Sequence, residues 1–225
     1  MPRILAGCTL SVVLLFCGMV AMNRGLASLY ANPGKSSLTV MHEEKRKVQQ
    51  PDWKAIRSSL EQAWSYDERN PDLLGLLGNA DEGEVAFYPV GDPAAGRPRD
   101  RARQYYLAAL AGRPTWPHDW MALALVKYRL GQIDADFHHA LRTALALGPW
   151  EPSVQYVIAD IGMHHWDRFD DGTHQLVLGV VRDGMEVMPM DLARLARRYD
   201  MLELVCDGGV KDEQVIKYCK QNLRR

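Results

Sequence analysis

The sequence predicts an all-α protein, a solenoid of helical hairpins preceded by one N-terminal transmembrane helix. Three observations predict it. Apolar residues recur at helical spacing throughout the chain beyond Pro51, Pro and Gly punctuate that pattern at short intervals, and Ile4–Met22 is a run of nineteen consecutive uncharged residues. The run is flanked by Arg3 and Arg24, and at 1.5 Å per residue it covers about 28 Å of a bilayer core.

The N-terminal segment (residues 1–24) reads as a retained anchor. Its rival is a cleaved signal peptide, because Gly25 and Ala27 supply small residues at cleavage spacing. Arg24 beside that site, and a run longer than a usual signal core, favour retention. Leu5-Ala6-Gly7-Cys8 has the look of a lipoprotein box but lacks the apolar region that must precede it. Flanking charges hardly decide orientation. A short N-terminal tail favours a cytoplasmic start, so the expectation is a single-pass membrane protein whose soluble domain faces the periplasm or the exterior. Cys206 and Cys219 could then oxidise to one optional disulfide.

Composition excludes several classes. With 47% hydrophobic and 24% charged residues the chain is not disordered as a whole, and a formal charge of -1 gives no general attraction to nucleic acid. Four cysteines, two of them (Cys8 and Cys17) inside the apolar run, make neither a disulfide scaffold nor a Cys-x-x-Cys zinc site.

Residues 25–50 follow the anchor. Pro33, Gly34, Ser36 and Ser37 and the charged run Glu43–Lys47 read as a linker, with a polar helix rising from the membrane as the alternative. Beyond Pro51, Ile56, Leu60, Ala63 and Trp64 share one helical face, as do Ala102, Tyr105, Tyr106, Ala109 and Leu110. Asn70-Pro71, Arg113-Pro114, Trp116-Pro117, Gly148-Pro149 and Glu151-Pro152 mark helix boundaries, since proline cannot continue the backbone ladder. Residues 81–98, with three Gly and three Pro, read as a long loop. A further helix pair begins at Pro152, and residues 192–225 supply helices that cap the array.

The period of this pattern resembles the tetratricopeptide repeat. Ala102, Tyr106, Ala109 and Pro114 stand at the positions of a second helix and its exit turn. Trp120, Leu123, Ala124, Gly131 and Ile133 follow at the positions of the next unit, and Ala144, Leu145, Leu147 and Pro149 return to register after one inserted residue. An earlier unit shows in Leu77-Gly78-Asn79-Ala80. The resemblance implies a repeat domain over residues 51–191. It also implies a concave groove lined by the first helix of each unit: His118, Met121, Leu125, Tyr128 and Arg129, continued by Tyr156, Asp160 and His164, with Asn79 at the earlier end.

More narrowly, several stretches resemble the VpsP family of bacterial polysaccharide biosynthesis proteins. They are Ala102-Arg103-Gln104-Tyr105-Tyr106, Arg113-Pro114-Thr115-Trp116-Pro117, Trp120–Lys127, Leu147–Gln155 and Leu195-Ala196-Arg197-Arg198-Tyr199. That resemblance implies a non-catalytic envelope scaffold or adaptor in exopolysaccharide synthesis or export, docking a protein component of that machinery. A direct glycan-binding protein or a polysaccharide-modifying enzyme is the alternative.

The chemistry-bearing residues fit no catalytic motif. No nucleophile elbow, phosphate loop, dinucleotide fingerprint or His-Glu-x-x-His occurs, so neither catalytic residues nor a cofactor are expected. His138-His139 and His164-His165 are adjacent pairs, which diverge by about 100° on a helix and cannot chelate one metal as an i, i+4 pair would. His164 with Asp167 is the best local pair, and no metal is expected. Arg97, Arg99, Arg101 and Arg103 crowd a helix start, where positive charge opposes the macrodipole. They are either a solvated rim or a site for an anionic glycan or lipid headgroup. Trp120 is expected in the core, and Trp116 and Trp150 as staples between successive helices.

Overall fold

The computed structural model describes residues 2–43, 53–206 and 212–223, with side chains described in the first helix for residues 12–38. Every described element is helical. The chain divides into two compact units, residues 1–114 and 115–225.

The first unit holds α1 (Pro2–Glu43), α2 (Trp53–Tyr66), α3 (Pro71–Glu84) and α4 (Gly96–Gly112). The N-terminal helix is long and apolar enough to cross a membrane: within Val12–Leu38 an 18-residue window has mean hydropathy 1.7. Val12, Leu14, Leu15, Phe16 and Met19 are all exposed, Leu15 at 75%. Exposed apolar side chains on this scale are costly in water and neutral in lipid.

The expected break after residue 24 is absent. Residues 25–43 continue α1 as helix, so the linker reading is corrected there; residues 44–50 lie outside the described residues. The reason is tertiary. Ala27 and Ala31 are buried with Ile56, Leu60 and Ala63 of α2 and Leu73, Leu77 and Ala80 of α3, and Tyr30 stacks on Tyr66 with ring centroids 5.4 Å apart. At Gly34 the two helices approach so closely that an added Cβ would lie 2.9 Å from Leu60 Cγ. Burial of this face holds Pro33 inside a helix despite the lost backbone bond.

Proline behaves as expected elsewhere. Pro71 opens α3 behind an Asn70 cap whose side chain accepts from the Asp72 N–H. The expected loop 81–98 is shorter than predicted, because α3 runs to Glu84 and α4 starts at Gly96, with one 3-10 turn at Pro93–Ala95. Asp81 is buried and explains the extension. It pairs with Arg57 of α2 and takes both Arg101 bonds, at 3.1 and 2.9 Å. That bond, chiefly, raises the Arg101 pKa.

The second unit holds α5 (Pro117–Arg129), α6 (Ala135–Leu147), α7 (Pro152–His164), α8 (Asp171–Gly184), α9 (Pro189–Arg198), α10 (Glu203–Cys206) and α11 (Glu213–Asn222). Helices α5 and α6 pair, as do α7 and α8, and α5 lies along α7. The turn after α5 uses Gly131 at φ 76°, the left-handed conformation that glycine adopts without strain. Lys127 is buried and its ammonium donates to Asp134 at 3.0 Å, while Asp134 caps α6 by accepting from the Phe137 N–H. The terminal helices begin earlier than residue 192, at Pro189, and Cys206 and Cys219 are joined as a disulfide that ties α10 to α11.

Candidate functional site

Helices α5 and α7 run in the same direction. At their starts Gly148 meets Pro117, and His118 Nε2 lies 3.9 Å from a Glu151 carboxylate oxygen; at their ends Tyr128 meets His164. Ala124 and Val126 of α5 and Ile158 and Ala159 of α7 are all buried. A partly to fully exposed stripe runs along each helix. His118, Met121, Leu125 and Arg129 on α5 are matched in register by Ser153, Tyr156, Asp160 and His164 on α7. The spacing of four-residue and three-residue steps is that of one helix face.

The stripe ends in a polar aromatic cluster. The Tyr128 hydroxyl is within hydrogen-bonding distance of Nδ1 of both His164, at 2.8 Å, and His165. One phenol donates once, so at least one of the two imidazoles carries its proton on Nδ1 and donates to the Tyr128 oxygen. Tyr199, at the end of α9, stacks on His164 with centroids 4.9 Å apart and donates its hydroxyl to Asp160 Oδ1 at 2.8 Å. Arg198 lies 3.9 Å from the same carboxylate oxygen.

Burial, with Tyr199 and Asp160 nearby, pushes the Tyr128 phenol well up; burial and the Asp160 bond push Tyr199 up to about 12. Both stay protonated at neutral pH and serve as donors, not as bases. Burial and then the neighbouring His164 and Arg168 push the His165 imidazole down. The cluster thus offers neutral donors, one carboxylate and stacked ring faces: chemistry for holding a polar surface.

Of the sequence-predicted residues, Tyr128, Asp160 and His164 come together here, with Tyr156 and Arg129 on the adjoining stripe. His118, Met121 and Leu125 extend it toward the helix starts. Asn79 belongs to the first unit, where it accepts a 2.9 Å bond from Tyr106. Arg198 and Tyr199 were missed, their only local signal being the Arg-Arg-Tyr run at a helix end, which does not reveal a partner on α7; His165 was weighed only as half of an adjacent histidine pair.

The other predicted sites fare differently. Arg99 is 1% exposed and donates to the carbonyls of Tyr88 and Pro89, with Glu82 3.9 Å away, so it pins the loop from within and is corrected as a surface anion ligand. Arg101 pairs with Asp81 and Arg103 with Asp100. Asp167, weighed as a metal partner of His164, sits exposed in a 3-10 turn at Trp166–Arg168. Among the described residues no group of three His, Cys, Asp or Glu could hold a metal ion. His138 and His139 instead meet Thr173 and Trp120, respectively.

The tryptophans also need correction. Trp120 is half-buried, with the ring of His139 edge-on. Trp116 and Trp150 are 47% and 67% exposed, too open to staple successive helices. Trp116 lies 5.2 Å from the His118 ring, on the same end as Glu151.

Compared with known proteins, the chain matches no family model, and no curated protein matches its sequence.

Proposed function

We propose that this protein is a non-catalytic, membrane-tethered scaffold whose α5–α7 wall binds a partner protein in bacterial exopolysaccharide synthesis or export. The observation that carries the binding reading is the pair of matched, solvent-facing stripes, His118 to Arg129 and Ser153 to His164, on two adjacent helices. Parallel first helices of a helical repeat form a shallow trough of this kind, and a peptide or helix is held there by apolar burial with a few polar contacts. Met121 and Leu125 supply the apolar part, and Arg129, Tyr156, Asp160 and His164 the polar part.

The tetratricopeptide resemblance supports the trough, and the VpsP resemblance supports the polysaccharide setting. The Cys206–Cys219 disulfide supports an oxidising compartment such as the periplasm, and the apolar α1 supports the tether.

The test is affinity capture from the native host with the tagged full chain against Arg129→Ala combined with Tyr156→Ala, both residues being half-exposed. We expect loss of a specific envelope partner with helicity unchanged by circular dichroism, and loss of surface polymer when the gene is deleted. A double variant that still captures every partner sinks the wall assignment; unaltered polymer in the deletion strain sinks the polysaccharide setting.

The exposed Trp116 and Trp150, with His118 and Glu151 between them, favour a second reading in which that end of the unit stacks on sugar rings. Calorimetric titration of the purified protein with the host polymer decides it: saturable heat lost in Trp150→Ala supports glycan binding, and no heat removes it.

A further inference from the structure

We propose that one end of the first unit, the turn from α2 to α3 together with the C-terminal end of α4, rests on the lipid headgroups of the membrane that α1 enters. This depends on the reading of α1 as a membrane anchor. The argument begins with helix continuity. The apolar run ends at Met22, and the same helix carries on without a break through the residues that pack on α2. At 1.5 Å per residue, Arg24 lies about 3 Å beyond the run and Tyr30 about 12 Å beyond it. The headgroup layer on each face of a bilayer is about 5–8 Å deep beyond the hydrocarbon.

Two contacts fix what stands within that layer, at Arg24, and just above it, at Tyr30. Arg24 Nε lies 4.0 Å from Asp67 Oδ2, and Tyr30 stacks on Tyr66. Both partners belong to the α2–α3 turn. Pro71 begins α3 at the same end and lies 3.7 Å from where a Cβ on Gly112 would stand, while Arg113 donates to Asp72 and to the Pro71 carbonyl. The end of α4 therefore shares this level. The opposite end is set by Trp53 against Gly83 and by the start of α4, and α4 alone is seventeen residues, about 25 Å, long.

The side chains at the near end suit an interface between water and lipid. Trp64 is half-buried, with its indole N–H directed to the turn and donating to the Glu68 carbonyl at 2.7 Å. Aromatic rings with one polar edge concentrate at headgroup depth. Charges there balance: Asp67 pairs with Arg24 and Asp72 with Arg113, and Glu68 and Arg69 are exposed side by side. The surface has no excess of positive charge, so zwitterionic and anionic lipids should serve equally and salt should not release it. Arg97, at the far end, is carried away from the membrane, which removes the lipid-headgroup role considered for the arginine cluster.

The test uses the full chain, with Cys8→Ser and Cys17→Ser to clear other thiols, in phosphatidylethanolamine/phosphatidylglycerol vesicles. Nitroxide labels are placed singly at Leu15→Cys, Glu68→Cys and Arg97→Cys, and their collisions with oxygen and with a water-soluble nickel chelate are measured. We expect Leu15→Cys to sit in lipid, and Glu68→Cys to be several-fold less accessible to nickel than Arg97→Cys, at high and low salt alike. Equal nickel access at positions 68 and 97 with position 15 in lipid overturns the surface contact while leaving the anchor standing. Position 15 in water overturns the anchor and this contact with it.

Discussion

Gly162→Ala should destabilise the second unit, and Val177→Ala should reverse much of that effect. Gly162 lies on α7 where α8 crosses closest. A Cβ there would stand 2.7 Å from Val177 Cγ1 and 3.1 Å from Val177 Cβ, and closer still to Cγ2. Carbon atoms in good contact sit about 3.5–4.0 Å apart. Rotating the Val177 side chain clears one methyl at a time but does not move its Cβ, so α8 itself must shift by about half an ångström, within the usual range of overpacking strain.

Such overpacking costs about 1–3 kcal/mol, against about 0.5–1 kcal/mol that alanine gains over glycine inside a helix. The net expectation is a loss of about 1–2 kcal/mol. Val177→Ala alone removes two buried carbons and leaves a hole, a cost of about 2 kcal/mol. In the double variant the new methyl enters that hole, so the pair should cost clearly less than the sum of the singles.

The assay is guanidinium unfolding of the full chain followed by far-ultraviolet circular dichroism, with the slope checked for constancy among variants. Costs that add within about 0.5 kcal/mol, or a Gly162→Ala variant more stable than the parent, would refute the close crossing.

Three further outcomes follow from the second unit. His165 has a folded pKa held below its ordinary value of 6.5, so the unfolded chain binds more protons near that pH. Stability should be full above about pH 7 and fall as pH drops through about 6.5, and His165→Gln should flatten that fall in melting midpoints taken across the range. Asp134→Ala removes the α6 cap, at about 1 kcal/mol, and takes the bonded carboxylate from buried Lys127, for a total of about 2–3 kcal/mol by denaturant unfolding. Asp134 has a lowered pKa because the Phe137 N–H and the Lys127 ammonium outweigh the effect of burial, so acid should mimic the variant. Reducing Cys206–Cys219, thirteen residues apart, frees a loop whose closure is worth about 3 kcal/mol, so hydrogen exchange in α10 and α11 should quicken while that in α5 and α7 stays unchanged.

Helix positions were legible because their causes are local. Pro71, Pro117 and Pro152 each open a helix, since a fixed φ and a missing N–H cost nothing in the first turn. Ala102, Ala109 and Ala124 are buried as their spacing requires. The stripe on α5 and α7 was readable for the same reason, as residues three and four apart share a face.

What failed in the reading had its cause far along the chain. Pro33 and Gly34 argue for a break when only their neighbours are considered, yet Leu60, Ile56 and Tyr66 supply a face that rewards helix through both. Arg99 looks like surface charge until the Tyr88 and Pro89 carbonyls and Glu82 close around it. Tyr199 meets Asp160 across thirty-nine residues. Backbone preference and periodicity are short-range properties, so the sequence by itself determined where helices start, where they stop and which way their apolar sides turn. Burial and pairing depend on which surfaces the folded chain brings together, so only the tertiary structure decided that the apolar N-terminal helix runs on into the first unit, that an arginine goes inside, and that two tyrosines, two histidines and a carboxylate meet at one end of the α5–α7 pair.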